Sequence, residues 1–335
     1  MSVNVAIVGA TGAVGQEFLT VLAERRFPIA NLTLWASAKS AGKKFQFAGK
    51  TYTVRELTNE SFKDVNIALF SAGGSVSREF APAAVAAGAI VVDNTSAFRM
   101  KQGIPLVVPE VNPEQIAKHN GLIANPNCTT IIMTVPVWPL HKANRVKRMV
   151  ISTYQAVSGA GAWGVYELES QLKAYAAGQP IHREKFPHQI ANNLFSHNTP
   201  IDVNGYNEEE NKVINETRKI FSDPKMNITI TCVRVPIPRA HCESINLEFE
   251  RPMTPENVRD VLSKAPGVKL VDDRAKNHFP MPLEASGQDD VLVGRIRQDI
   301  SRDDGRGIDL FVSGDQIRKG AATNAVQIAE KLIRV

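Results

Sequence analysis

The sequence predicts an α/β protein of two domains, a doubly wound parallel sheet followed by an α+β domain built on a mixed sheet. Three patterns in the 335 residues carry that prediction. Short apolar runs alternate with helical segments up to residue 127, and longer runs with period-two alternation take over after it. A glycine turn joins the first apolar run to the first helix.

Residues 3–8 (Val-Asn-Val-Ala-Ile-Val) read as a buried parallel strand, and Gly9 to Gly15 as the glycine turn. Residues 13–25 form a helix with Val14, Phe18, Val21 and Leu22 on one face. Further apolar runs fall at 32–35, 67–70, 90–92 and 122–124, with an alanine-rich helix over 75–87. A helix is predicted from Cys128 to His141, then strands over 149–155, 228–235, 244–250 and 291–298, with a shorter one at 310–312. A polar helical region is expected over 165–221. The last helix, 321–333, is apolar at Ala325, Ile328, Ala329 and Leu332, and periodicity does not decide which domain it packs on.

Composition narrows the function classes. The chain is 43% hydrophobic and 22% charged, that of an ordinary soluble protein, and no run has the ~18 apolar residues of a membrane span. Met1 leads almost directly into the first strand with no signal-peptide pattern, so a cytoplasmic location is expected. Cys128, Cys232 and Cys242 have neither CxxC nor zinc-type spacing, so no metal is expected, and an odd number argues against a disulfide framework. The net charge of +5 is dispersed, its densest cluster being Arg145, Lys147 and Arg148. That balance suits an anionic small substrate and does not favour nucleic acid.

Gly9, Gly12 and Gly15 follow a strand and open a helix, where glycines permit a tight turn and let backbone amides approach a pyrophosphate. The spacing is GxxGxxG, not GxGxxG, so a plain strand–helix turn stays open as the alternative. The second strand ends in Trp35-Ala36-Ser37-Ala38-Lys39-Ser40, without the carboxylate that usually bonds the ribose of NAD. Lys39 and Ser40 are placed to meet a 2′-phosphate, which favours NADP(H).

Asn125-Pro126-Asn127-Cys128-Thr129-Thr130 joins a strand to a helix and puts Cys128 at a helix N-terminus. There the dipole and free amides stabilise a thiolate and an oxyanion. Alone, the residue reads equally well as a small buried hydrophobe; downstream of a dinucleotide domain, the nucleophile is the stronger reading. A thiolate chemistry needs a proton acceptor and donor. His241, in a short connection between two strands, has a weak preference over the other six histidines, which sit in polar segments expected to be solvated. Arg234 continues the apolar face of Ile228, Ile230 and Cys232, so it needs a partner or an anionic ligand unless it ends the strand in water. Glu209 and Lys212 share a helix face, and on spacing alone read as surface.

Together these segments resemble the aspartate-β-semialdehyde dehydrogenase family. The resemblance runs through residues 8–15, Ala38-Lys39-Ser40-Ala41-Gly42, Asp93-Asn94-Thr95-Ser96-Ala97-Phe98-Arg99 and Val108-Pro109-Glu110-Val111-Asn112. It continues through Asn125-Pro126-Asn127-Cys128, residues 155–161, Glu209-Glu210-Asn211-Lys212, Arg234-Val235-Pro236 with His241, and residues 320–325. It implies a glyceraldehyde-3-phosphate-dehydrogenase-like fold: a Rossmann-type NADP-binding domain over 1–127 with 315–335, and a catalytic and dimerisation domain over 128–314. It also implies reversible, NADPH-dependent reductive dephosphorylation of L-β-aspartyl phosphate to L-aspartate 4-semialdehyde, the branch-point aldehyde leading to lysine, threonine and methionine.

By the same resemblance Cys128 carries the acyl thioester, His241 is the acid/base and Gln155 orients beside the nucleophile. Arg234 and Glu209 grip the carboxylate and ammonium, while Arg99 and Lys212 bind phosphate with Asn127 nearby. Gly9, Thr11, Gly12, Ala13 and Val14 match the phosphate turn, Lys39 and Ser40 the adenosine phosphate, and Ser158, Gly159 and Asn324 the nicotinamide end. Family members are homodimers or tetramers. Two positions depart: Lys39 stands where arginine is frequent, losing the planar fork, and Cys242 follows His241 where serine is common, bringing a second sulfur near the site. N-acetyl-γ-glutamyl-phosphate reductase would carry Gly-Cys at the nucleophile, and glyceraldehyde-3-phosphate dehydrogenase an acid after the second strand. A non-catalytic NADP-binding paralogue would be free to lose Cys128, His241 or Arg99.

Overall fold

The structure is a computed structural model that describes residues 2–333. The chain divides into two units, Met1–Asn127 with Ala321–Val335, and Cys128–Gly320. Residues 315–320, expected in the dinucleotide domain, lie in the second unit. Asp315 accepts there from Arg239 Nε at 2.7 Å and from the Gly287 amide at 2.6 Å, which holds the end of the last strand in that unit.

The first unit opens with β1 (Val3–Val8), α1 (Ala13–Glu24) and β2 (Ile29–Ala36). A hairpin of β3 (Lys44–Phe47) and β4 (Lys50–Thr53) follows, then β5 (Arg55–Glu56), β6 (Ile67–Phe70), α2 (Gly74–Ala86), β7 (Ile90–Asp93) and β8 (Leu122–Ala124). Six strands make one sheet in the order β5-β2-β1-β6-β7-β8, paired in parallel throughout. Ile7, Leu34 and Leu69 pack with Phe18 and Leu22 of α1 on one face, and Ala6, Val8 and Phe70 pack with Ala81 and Ala84 of α2 on the other. Covering both faces is why these strands read as unbroken apolar runs. The hairpin escaped sequence analysis. Ala48 and Gly49 both take positive φ at its tip, as a type I′ turn requires, and Phe45, Phe47 and Tyr52 pack on the core.

The second unit carries α3 (Cys128–Ala143), β9 (Val146–Gln155), α4 (Ala162–Ala176), β10 (Phe195–Ser196), α5 (Glu208–Ile220) and β11 (Asn227–Arg234). It ends with β12 (His241–Phe249), α6 (Pro255–Ser263), β13 (Val268–Leu270), α7 (Pro282–Ala285), β14 (Val291–Gln298) and β15 (Gly307–Gly314). Its seven strands run β10-β11-β9-β12-β15-β14-β13. β11 is parallel to β9 while β12 is antiparallel to both β9 and β15, so the sheet is mixed. In β9 and β11 alternate residues are buried, among them Met149, Ile151, Gln155, Ile230, Cys232 and Arg234. α8 (Thr323–Ile333), which periodicity left unplaced, buries Ala325, Val326, Ile328 and Ala329 in the core of the first unit. No helix among the described residues is long and apolar enough to cross a membrane.

The expected polar helical region over 165–221 is two helices separated by irregular chain. Pro180, Pro187 and Pro200 cannot continue a helix, and α5 starts afresh with Asn207 and Glu210 forming a capping box. Two buried polar side chains of α4 satisfy the backbone that a helix would otherwise have satisfied. Glu167 accepts from the amides of Glu184 (2.9 Å), Lys185 and Phe186 (3.4 Å), and Gln171 accepts from those of Ile190 (2.9 Å) and Ala191 (3.0 Å). A polar composition here marks a buried clamp, not a solvated face. Glu167→Ala should destabilise the protein by about 3 kcal/mol, since buried amides lose their acceptor. Urea unfolding measures that loss, and limited proteolysis should find new cleavage between residues 178 and 194.

Candidate active site

Cys128 is the first residue of α3 and half-buried, so its sulfur sits where the helix dipole favours negative charge. Its Sγ lies 3.5 Å from His241 Nε2. His241 is not in a connection, as its spacing suggested, but is the first residue of β12 and is 1% exposed. The Ala156 amide donates to its Nδ1 at 3.0 Å. An N–H aimed at Nδ1 leaves the ring proton on Nε2, facing the sulfur, and opposes a second proton on the ring. Burial, with the charge of Arg234 and the neighbouring His197, also holds the imidazole well below its ordinary pKa.

Arg234 is 3% exposed at the end of β11. NH1 donates to Ala156 O at 2.6 Å and NH2 to His197 Nε2 at 2.7 Å, while the buried Nε has no protein partner. The alternative that Arg234 ends its strand in water is ruled out. Gly159 leaves the space between this guanidinium and the imidazole open. A Cβ there would lie 3.2 Å from both Arg234 NH1 and His241 Cε1. Ser158 donates to Pro238 O at 2.5 Å and accepts from Gln316.

Gln155 closes β9 and is 1% exposed. Its Nε2 donates to Thr129 Oγ1 at 2.6 Å and to Glu209 Oε1 at 3.4 Å, and its Oε1 is buried without a partner. The surface reading of the α5 pair is corrected. Glu209 is 7% exposed, and Lys212 Nζ lies 2.7 Å from Glu208 and 3.8 Å from Glu209. One unit thus brings together a thiol, an imidazole, a guanidinium, a carboxylate and an ammonium. Cys242 does not join them, because neighbouring strand residues point to opposite faces. Its thiol donates to Ser313 at 3.3 Å, and burial pushes its pKa up to about 11.

His197 carries no mark of a site residue in the sequence. It is half-buried, and its ring nitrogens engage Arg234 and, at 3.3 Å, Thr199 Oγ1. His141 and His119, also expected in water, accept from the amides of Val146 and Gly121. Among the described residues, no group of three or more His, Cys, Asp or Glu could hold a metal ion.

The first unit holds the remaining candidates. Gly9, at φ +86°, is confined to glycine because a Cβ would meet Ser71 O at 2.4 Å, and Gly15 likewise because its Cβ would meet Gly9 O at 2.2 Å. Beside this turn lies a cleft of about 510 Å³, lined by Gly9, Thr11, Gly12, Ser37, Ala38 and Glu56 among others. Thr11 donates to Ser40 at 3.4 Å, tying the turn to the loop that carries exposed Lys39. Glu56 is the carboxylate that sequence analysis did not find: β5 pairs it with Ala36 at the end of β2. Arg99, 8% exposed, donates to Asn125 O at 2.9 Å and Asn94 O at 2.7 Å. Asn127 is buried, and Asn324 donates to Val107 O at 2.9 Å and to Asn125 Oδ1 at 2.6 Å.

Comparison with known proteins finds two family matches along the chain. The family described as "Semialdehyde dehydrogenase, NAD binding domain" matches residues 4–119, and "Semialdehyde dehydrogenase, dimerisation domain" matches residues 137–319. The chain is 54% identical to the aspartate-semialdehyde dehydrogenase of Synechocystis sp. over 99% of its own length and 97% of the relative's. For the enzyme of that name from Aquifex aeolicus the identity is 52%, over 100% and 99%. The crystal structure of aspartate semialdehyde dehydrogenase II from Vibrio cholerae, complexed with ASA, superposes with a TM-score of 0.97 at 47% identity, covering 100% of this chain and 99% of that one.

Burial pushes the His197 imidazole down to about 4, with the charges of Arg234 and Lys212 lowering it further and Glu209 and Glu208 opposing. The unfolded chain takes up this proton near the ordinary value of 6.5, the folded protein only near 4. Folding stability from this group is therefore full above about pH 6.5 and is lost as the pH falls from there towards 4. The thermal midpoint should drop on acidification from pH 7 to pH 5, and less steeply in His197→Gln than in the wild type.

Proposed function

Because the chain belongs to the aspartate-semialdehyde dehydrogenase family, we propose that it interconverts L-β-aspartyl phosphate and L-aspartate 4-semialdehyde through a thioester on Cys128. The observation that carries the reading is the 3.5 Å approach of Cys128 Sγ to the proton-bearing Nε2 of His241, at the head of a helix. A thiolate held by a helix terminus and an adjacent ring donor is an activated nucleophile.

In the reductive direction the Cys128 thiolate attacks the acyl carbon. The carbon–sulfur bond forms, the bond to the phosphate oxygen breaks, and inorganic phosphate departs. The amides of the first turn of α3 and His241 Nε2–H supply donors for the oxyanion. NADPH, when bound, supplies a hydride to the thioester carbonyl. His241 lends its Nε2 proton to the oxygen of the resulting tetrahedral adduct and recovers it as the carbon–sulfur bond breaks and the aldehyde leaves. The thiolate is then restored, and the one proton consumed overall is the one that the departing phosphate takes up from solvent.

Arg234 receives the substrate α-carboxylate and Glu209 the α-ammonium, and the unpartnered Gln155 Oε1 is an acceptor available beside them. Lys212 in this unit, and Arg99 with Asn127 in the first, take the phosphate role that the family resemblance assigns. The amides of residues 9–14 would hold the cofactor pyrophosphate. Lys39 and Ser40 would hold a 2′-phosphate, and Ser158, Gly159 and Asn324 the nicotinamide end. The glycine cradle and its cleft fit a dinucleotide, and Lys39 supports NADP over NAD, with Glu56 the opposing group in that cleft. The dimerisation description of the second matched segment supports a homodimer, which light scattering reads directly.

NADP reduction with aspartate semialdehyde should require phosphate, or arsenate in its place; activity that ignores both would sink the reading. Cys128→Ala should abolish turnover while NADP binding, followed by fluorescence, persists. Lys39→Ala should lower kcat/KM for NADP by about tenfold, through loss of one charge-assisted contact, and leave that for NAD within about twofold.

A further inference from the structure

The reading of Arg234 and Glu209 as the amino-acid grip leaves open what fixes the distance between them. A buried guanidinium on a long side chain has several rotamers, and Glu209 sits on a different element, the first turn of α5. The link is the short segment that contains β10. Phe195 and Ser196 pair antiparallel with Arg234 and Val233, and the His197 amide donates to Cys232 O at 2.8 Å. His197 is thereby held beside the end of β11.

Its ring chemistry is settled by its partners. A guanidinium nitrogen only donates, so at 2.7 Å from Arg234 NH2 the His197 Nε2 accepts. The ring proton then sits on Nδ1, 3.3 Å from Thr199 Oγ1. That hydroxyl oxygen also accepts the amide of Glu209 at 3.2 Å. A continuous chain of hydrogen bonds therefore runs from the Glu209 backbone through Thr199 and His197 to Arg234. Ala156 O takes the other terminal nitrogen at 2.6 Å, and the Phe186 ring lies 6.0 Å from the guanidinium carbon. Each terminal nitrogen keeps a second N–H for a ligand.

We propose that His197 is a positioning residue for the α-amino-acid end of the substrate: its Nε2 sets the Arg234 guanidinium, and through Thr199 it ties that guanidinium to the turn that carries Glu209. The proposal rests on the substrate reading above. His197 touches neither the thiol nor the reacting carbonyl in this scheme, so its removal weakens substrate binding and spares the chemical step.

The test is steady-state kinetics of His197→Leu, His197→Gln and Thr199→Val with aspartate semialdehyde, and with 3-aminopropanal, which lacks the α-carboxylate. His197→Leu should raise KM for aspartate semialdehyde about tenfold, the effect of misplacing one charged hydrogen-bond donor, with kcat within about twofold. His197→Gln, whose Oε1 reaches the position of Nε2, should restore KM to within about threefold. On 3-aminopropanal the leucine variant and the wild type should have the same kcat/KM. An equal loss on both aldehydes, a fall in kcat with KM unchanged, or no rescue by glutamine would overturn the positioning role. If His197→Leu does not fold, as its thermal midpoint will report, Thr199→Val makes the same comparison, with a smaller rise in KM expected. A wild-type protein inactive on aspartate semialdehyde would instead overturn the substrate reading, and this proposal with it.

Discussion

A guanidinium buried at the end of a strand needs partners, because an unpaired charge away from water costs several kcal/mol. Arg234 imposes that requirement on the second unit, and much of the local structure answers it. The carbonyl of Ala156 and the ring of His197 take its two terminal nitrogens. Phe186 lies near its carbon, and Glu209 supplies the opposite charge. Phe186 packs with Val157, Leu168 and Phe195, and Glu167 and Gln171 hold the irregular chain around it by its amides. A loop that looks loosely built is therefore one wall of the arginine's setting.

The same peptide segment serves the proposed acid/base. Ala156 gives its carbonyl to Arg234 and its amide to His241 Nδ1. One residue past the end of β9 thus orients a guanidinium and selects an imidazole tautomer. Gly159, a few residues on, leaves the space between the two side chains open. A neutral ring with its proton on Nε2 fits a reaction that begins and ends with a thiolate, since the sulfur needs a donor beside it more than it needs a base.

The cofactor cradle illustrates a limit of reading along the chain. The glycine spacing was legible as a strand–turn–helix motif, and Gly15 answers a local steric demand, since a Cβ there would meet Gly9 O at 2.2 Å; on Gly9 a Cβ would meet Ser71 O, on the neighbouring strand's end, at 2.4 Å. The carboxylate in the same cleft was not legible. Glu56 lies 20 residues beyond Ala36 and meets it only because β5 pairs with β2 at the sheet edge. The hairpin of β3 and β4 occupies the interval, and its tip combines a residue as ordinary as Ala48 with Gly49.

By itself the sequence determined the alternating parallel sheet, the strand-to-helix step that places Cys128, and the family whose motifs the chain carries. Those depend on periodicity and on turn chemistry, which act over a few neighbouring residues. Only the tertiary structure decided that 165–221 is two helices around a clamped loop, that Glu209 is buried, and that Cys242 turns its sulfur to Ser313. It alone set His197 against Arg234, 37 residues away in the chain. Burial and hydrogen-bond partnership across such separations are properties of the packed sheet, and no local pattern of polar and apolar residues encodes them.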